Sequence, residues 1–188
     1  MKPRTAVTVC CLMALLAVAA PAQHRRGHDP LTYAEADELR EVAQDPPRRL
    51  KLFIKYASAR LQSIEQLRGD PKTAEGRGRR IHDLLQDFTT LVDELDDNVN
   101  MYANRKEDIS KPLGEVITAD TEWKLKLRTL KEAADATSIA EARDYSFVLE
   151  TATDAVNASI SNARDVQDEI AKRKQEEKEE QKKKGKKK

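Results

Sequence analysis

The chain has 188 residues, of which 36% are charged and 4% aromatic, with six glycines and seven prolines. That length suits one domain, and the composition excludes a membrane-embedded bundle, a disulfide-stapled secreted knot and a β-sandwich. The net charge of +1 hides a segregation: residues 1–22 carry +2 and residues 171–188 carry +6, leaving −7 for the body between them.

Met1 to Ala22 reads as a secretory signal peptide. Lys2 and Arg4 form a positive start, Ala6 to Ala20 is an apolar run broken by Thr8, and Ala20-Pro21-Ala22 is a small-x-small cleavage site. Ala17-Val18-Ala19 is a second cleavage candidate, and an uncleaved anchor is the alternative. An apolar run of about 15 residues falls short of the roughly 20 that span a bilayer. Both cysteines, Cys10 and Cys11, lie in this run, so cleavage leaves a chain without disulfides. Residues 23–30 follow as a flexible leader, and a periplasmic or secreted location is expected.

Breakers then divide the body into helices. Thr32 with Glu35 forms a capping box before a short helix over 33–44. A second helix runs from Pro47 to Arg68 on a seam of Leu50, Ile54, Ala57, Leu61 and Ile64, and Gly69-Asp70-Pro71 stops it. Arg77-Gly78-Arg79-Arg80 reads as a basic turn between helices. The third helix, 79–108, places Ile81, Leu85, Phe88, Val92, Leu95, Val99 and Tyr102 at alternating steps of four and three, with Leu84 and Leu91 widening the face. The fourth, 113–136, aligns Leu113, Val116, Trp123, Leu127, Leu130 and Ala134. The fifth starts at Ser138, with Glu141 as its capping partner, and continues through Tyr145, Leu149, Ala152, Val156, Ser159, Ala163, Val166 and Ile170.

The spacing therefore predicts an all-α protein. Its architecture is an elongated up-and-down bundle of four long helices over residues 31–170, with a short N-terminal helix docked beside it or stacked end-on. Short connections favour antiparallel neighbours. The seams also suit a homodimer or an extended coiled coil.

Catalytic hardware is scarce. His24 and His28 fall in the leader, which leaves His82, one position off the third seam, as the histidine of the bundle. No Glu has a His three residues on, and phosphate-loop and dinucleotide patterns are absent. No catalytic residue, cofactor or metal is expected. Asp93, Glu94, Asp96, Asp97 and Asp108 crowd together but lack the glycine and ligand spacing of a calcium loop. Asn157-Ala158-Ser159 matches a glycosylation acceptor in mid-helix.

Asp120 breaks the fourth seam, where an apolar residue belongs. A buried carboxylate needs a partner or a proton, so Asp120 is the buried polar candidate. The readings are a ligand contact beside Trp123, a register-fixing polar group, or an edge position near water.

Residues 171–188 form a charged low-complexity tail. Its first half extends the fifth helix as a solvated rod. Lys182, Lys183, Lys184, Lys186, Lys187 and Lys188 surround one glycine and are expected to be disordered. They are the polyanion-binding candidates, suited to lipid head groups or anionic polysaccharide, beside the alternative of a solubilising tail without a partner. No aromatic residue interleaves them, so specific nucleic-acid binding has no support.

Leu31-Thr32-Tyr33-Ala34-Glu35 resembles the Leu-Thr-x-x-Gln element of small exported helical chaperones of the stress-response type. The likeness spans five residues, with Glu35 in place of the Gln and no second copy. It implies an all-helical periplasmic binding protein; a capping box accounts for the same residues. The expected function is a non-enzymatic envelope protein that binds macromolecules as an adaptor or chaperone-like factor. The alternative is a bundle tethered to an anionic surface through its lysine tail.

Overall fold

The computed structural model describes residues 29–135 and 139–185. They form five α-helices: α1 (Tyr33–Glu41), α2 (Pro46–Gly69), α3 (Arg77–Asn104), α4 (Ser110–Asp135) and α5 (Ile139–Gly185), with a 3-10 turn at Pro71–Thr73. No strand occurs among the described residues. The protein is an all-α bundle of four long helices with a short N-terminal helix. The signal-peptide reading and most of the leader fall outside the described residues.

Local chemistry sets each boundary. The Thr32 hydroxyl accepts from the Glu35 amide at 3.3 Å and the Glu35 carboxylate accepts from the Thr32 amide at 2.8 Å, closing the capping box. Asp45 caps α2 by accepting from the Arg48 amide at 3.1 Å, and Pro46 and Pro47 occupy the first turn, where no amide partner is needed. The boundaries of α3 and the start of α4 depart from the sequence reading, and α1 ends at Glu41 rather than at 44. Arg77-Gly78-Arg79-Arg80 is the first turn of α3, not a turn between helices, because Gly76, at φ 63°, makes the chain reversal one residue earlier. α3 ends at Asn104 rather than running to Asp108, since Lys106 adopts a left-handed φ of 60°. Asp108 then accepts from the amide of Ser110 at 3.2 Å, so α4 begins ahead of Pro112 and holds that proline harmlessly in its first turn. The expected cap Ser138 lies outside the described residues.

The seams meet in one core. All seven residues stepped along α3 are buried, as are Leu113, Val116, Trp123, Leu127 and Leu130 of α4 and the α5 seam from Tyr145 to Ile170. Phe88 and Trp123 meet edge to face across the middle, with centroids 5.4 Å apart. Ile54 and Leu84 lie at the margin, while Phe53 and Tyr56, outside the seam read for α2, are buried.

Connectivity departs from a simple ring of neighbours. α2–α3 and α4–α5 are antiparallel hairpins, whereas α3 packs beside α5 and α2 beside α4. The consecutive helices α3 and α4 thus sit diagonally, and the helices paired between the two hairpins, α3 with α5 and α2 with α4, run parallel. Their polar contacts keep a nearly fixed separation: Arg77–Glu141 at 64 residues, Trp123–Ser58 at 65, Asn162–Asp96 at 66. α1 folds back antiparallel along α2, which settles the choice between docking and end-on stacking. Arg60 grips Glu35 (2.6 and 2.9 Å) and the Pro30 carbonyl, while Lys55 and Tyr56 reach Glu38.

Candidate functional site

Two features stand out from ordinary helix packing: a polar layer inside the bundle and a charged rod outside it.

In the polar layer, Asp120 lies on α4 between Val116 and Trp123, all three essentially inaccessible (0%, 0% and 1% exposed). Its Oδ2 accepts from the Ser159 hydroxyl of α5 at 3.0 Å, and its Oδ1 is buried without a partner. One turn along α5, the Asn162 amide donates to Asp96 of α3 at 2.7 Å. Burial pushes the Asp120 carboxyl up to about 7; the Ser159 bond opposes this and the Asp96 charge adds to it. Asp96 and Asp93 are also raised, chiefly by burial; at Asp96 the Asn162 bond opposes the rise and Asp97 adds to it, and at Asp93 the charges of Asp96, Asp97 and Glu94 add to it.

Of the acidic residues picked out along α3, Asp93, Glu94 and Asp97 are exposed and Asp96 is half-buried. Among the described residues no group of three His, Cys, Asp or Glu is placed to hold a metal ion. His82 is half-exposed and its Nδ1 lies 3.2 Å from its own neighbour, Asp83. Asn157 is exposed in the middle of α5.

The rod is the distal part of α5. Ile170 is the last buried residue on this helix. One turn later the Lys174 ammonium donates to both carboxylate oxygens of Asp108, at 3.0 and 3.1 Å, and to Ser110 Oγ at 2.8 Å. Ser110 first and Lys174 second hold the Asp108 carboxyl down at about 2. Beyond this anchor α5 continues to Gly185. Those residues make about three turns and reach about 16 Å past Lys174 at 1.5 Å per residue. Four glutamates, Glu176, Glu177, Glu179 and Glu180, come first around Lys178, and Lys182, Lys183 and Lys184 fill the last turn. Glu180 and Lys184 pair at 3.7 Å, an i,i+4 contact that favours the helix. Lys182 to Lys184 are thus helical; Lys186, Lys187 and Lys188 lie outside the described residues.

Asp120 and the lysines are therefore not one site. The carboxyl is buried mid-bundle, and Lys182 to Lys184 stand about 35 Å further along α5 from Ser159 at helical rise. Sequence reasoning missed Ser159 as the partner of Asp120. The one trace of it in the sequence is that Ser159 is the single serine on a seam of otherwise apolar residues and Tyr145. Among the described residues no helix is long and apolar enough to cross a membrane. Compared with protein-family models, with curated proteins and with solved structures, the chain matches none.

Proposed function

We propose that this chain is an exported, non-enzymatic binding protein of the cell envelope, in which a rigid helical bundle is tethered to an anionic surface through the end of α5. The observation that carries this reading is the departure of α5 from the bundle after Lys174, with lysines in its last turn. A helix anchored at its base holds those charges clear of the acidic body, where they can meet a surface without bringing the body's carboxylates against it. The signal-peptide pattern of residues 1–22 supports export, and the scarcity of nucleophiles and histidines in the bundle supports a binding role. Each lysine near an anionic membrane is worth on the order of 1 kcal/mol, screened by salt.

The test compares the full chain with one lacking residues 182–188 on vesicles containing 30% anionic lipid, on neutral vesicles and on an anionic polysaccharide. Tethering predicts binding at low salt that falls at least a hundredfold on deletion and is lost at high salt. The arm that binds names the surface. Equal retention of both chains would end this reading, and partners captured through the bundle alone would favour the adaptor role.

A further inference from the structure

We infer that Asp120 and Ser159 form a proton-operated latch between α4 and α5, closed when the Asp120 carboxyl is neutral and loosened when it ionises. The geometry carries this. The carboxyl occupies a core position with no exposed surface, and a single neutral hydroxyl at 3.0 Å is its partner. An ionised carboxylate offers about four acceptor sites; here one oxygen has no donor at all. A neutral carboxyl fits the same space. It donates its own proton to Ser159 Oγ, and the hydroxyl is then free to donate back to a carbonyl of its helix, as mid-helix serines do.

The surrounding helices offer nothing that would hold a negative charge. From α3, the charge bearing on Asp120 is Asp96, another carboxylate. From α5, the facing groups are Ser159 and Asn162, both uncharged, and Asn162 is committed to Asp96. α2 places the Ser58 hydroxyl, bonded to Trp123, one turn away. No ion pair among the described residues includes Asp120. Burial without a cation raises proton affinity. Taking the carboxyl from its ordinary 3.8 to about 7 means that the folded bundle holds this proton about a thousandfold more tightly than the unfolded chain.

The direction of the pH effect follows. Between about pH 4 and 7 the folded form keeps the proton and the unfolded form does not, so each step upward in pH favours opening. Below that range both forms are protonated, and above it both are ionised, so the dependence levels off at each end. The contribution of this pair to the α4–α5 layer is therefore greatest below about pH 4 and least above about pH 7. Trp123, the single tryptophan, lies one turn from Asp120 and reports on the layer directly.

The experiment follows the full chain and its Asp120→Asn and Ser159→Ala variants from pH 5 to 9. Three signals are read: the carboxyl carbon resonance of Asp120, Trp123 emission, and amide exchange around 116–123 and 156–163. The expected result is a carboxyl midpoint near 7 and a matching change in Trp123 emission. After the intrinsic base dependence of exchange is divided out, both segments should open about tenfold more at pH 8 than at pH 6. Asp120→Asn should abolish all of this pH dependence, and Ser159→Ala should shift its midpoint upward. A carboxyl midpoint near 4, or an unchanged profile in Asp120→Asn, would overturn the inference. Should Asp120→Asn fail to fold, the titration of the unsubstituted carboxyl decides alone.

Discussion

Adding one methyl group at two glycines should move stability in opposite directions. Gly78 is buried in the first turn of α3, where that helix meets the start of α5. A Cβ built there lies 2.6 Å from Asp144 Oδ2, 2.8 Å from the Glu141 carbonyl oxygen and 2.9 Å from Asp144 Cβ. The carboxylate of Asp144 can rotate away, but the carbonyl and the Cβ belong to α5 itself. Arg77 also clamps Glu141 in two bonds of 2.7 and 2.8 Å, which resists separation of the helices. Gly78→Ala must therefore push α3 from α5 or break that clamp, an overpacking cost of about 1–3 kcal/mol. The better helix propensity of alanine returns about 0.5–1 kcal/mol. The net effect is a loss of about 1–2 kcal/mol, or roughly 3–6 °C in melting temperature at this size. Gly114, exposed on α4, has nothing within 4 Å of its added Cβ. Gly114→Ala should gain about 0.5–1 kcal/mol from propensity alone. Urea unfolding with unchanged slopes measures both differences. A Gly78→Ala chain as stable as the parent, alongside a stabilised Gly114→Ala, would refute the close approach of α3 and α5.

Two further outcomes follow from the polar contacts. Glu35 is held below its usual range: burial opposes the shift, and the bonds from Arg60 and Thr32 and the Arg60 charge together outweigh it. Its contribution is therefore present above its unfolded value and lost as pH falls through the lowered one, so α1 should detach in acid before the bundle opens. Arg60→Ala should produce that loosening at neutral pH, raising amide exchange in α1 about tenfold, the equivalent of about 1.4 kcal/mol, while α3 and α5 remain protected. Removal of residues 175–188 should leave the melting temperature within about 1 °C of the parent, because surface residues outside caps and cores rarely count for more. A drop of several degrees would show that the rod packs on the body.

The long helices were legible because their burial is one-sided. On α3 every apolar residue at a 3,4-step faces the core, and the pattern names the buried set without help from tertiary structure. α2 was read less well because it buries two faces. One meets the bundle, while Phe53 and Tyr56 lie on a face that also carries α1, which returns along it. That return depends on Arg49 and Arg60 reaching the Leu39 and Pro30 carbonyls, long-range contacts that periodicity does not encode. Asp120 was legible as an exception to its seam, whereas its partner was not, since a serine on a small-residue seam passes for packing.

The diagonal arrangement explains why the rod begins where it does. When α3 and α5 run parallel at a fixed separation of 64 to 66 residues, the end of one assigns the end of support for the other. A separation of 66 carries the end of α3, Asn104, to position 170, and Ile170 is where burial on α5 stops. The same separation sets Asp108, in the connection after α3, against Lys174, the last anchor before the helix runs on alone. The left-handed turn at Lys106 thus limits both helices at once: it ends α3 directly and ends the support of α5 by register. A change that lengthened α3 through Lys106 would carry apolar cover further along α5, over Glu176 to Glu180, where five successive polar and charged residues offer nothing to bury. Charge patterning in the last third of α5 and backbone geometry at one distant residue therefore specify the same boundary, and the free end that the tethering proposal requires is fixed by both.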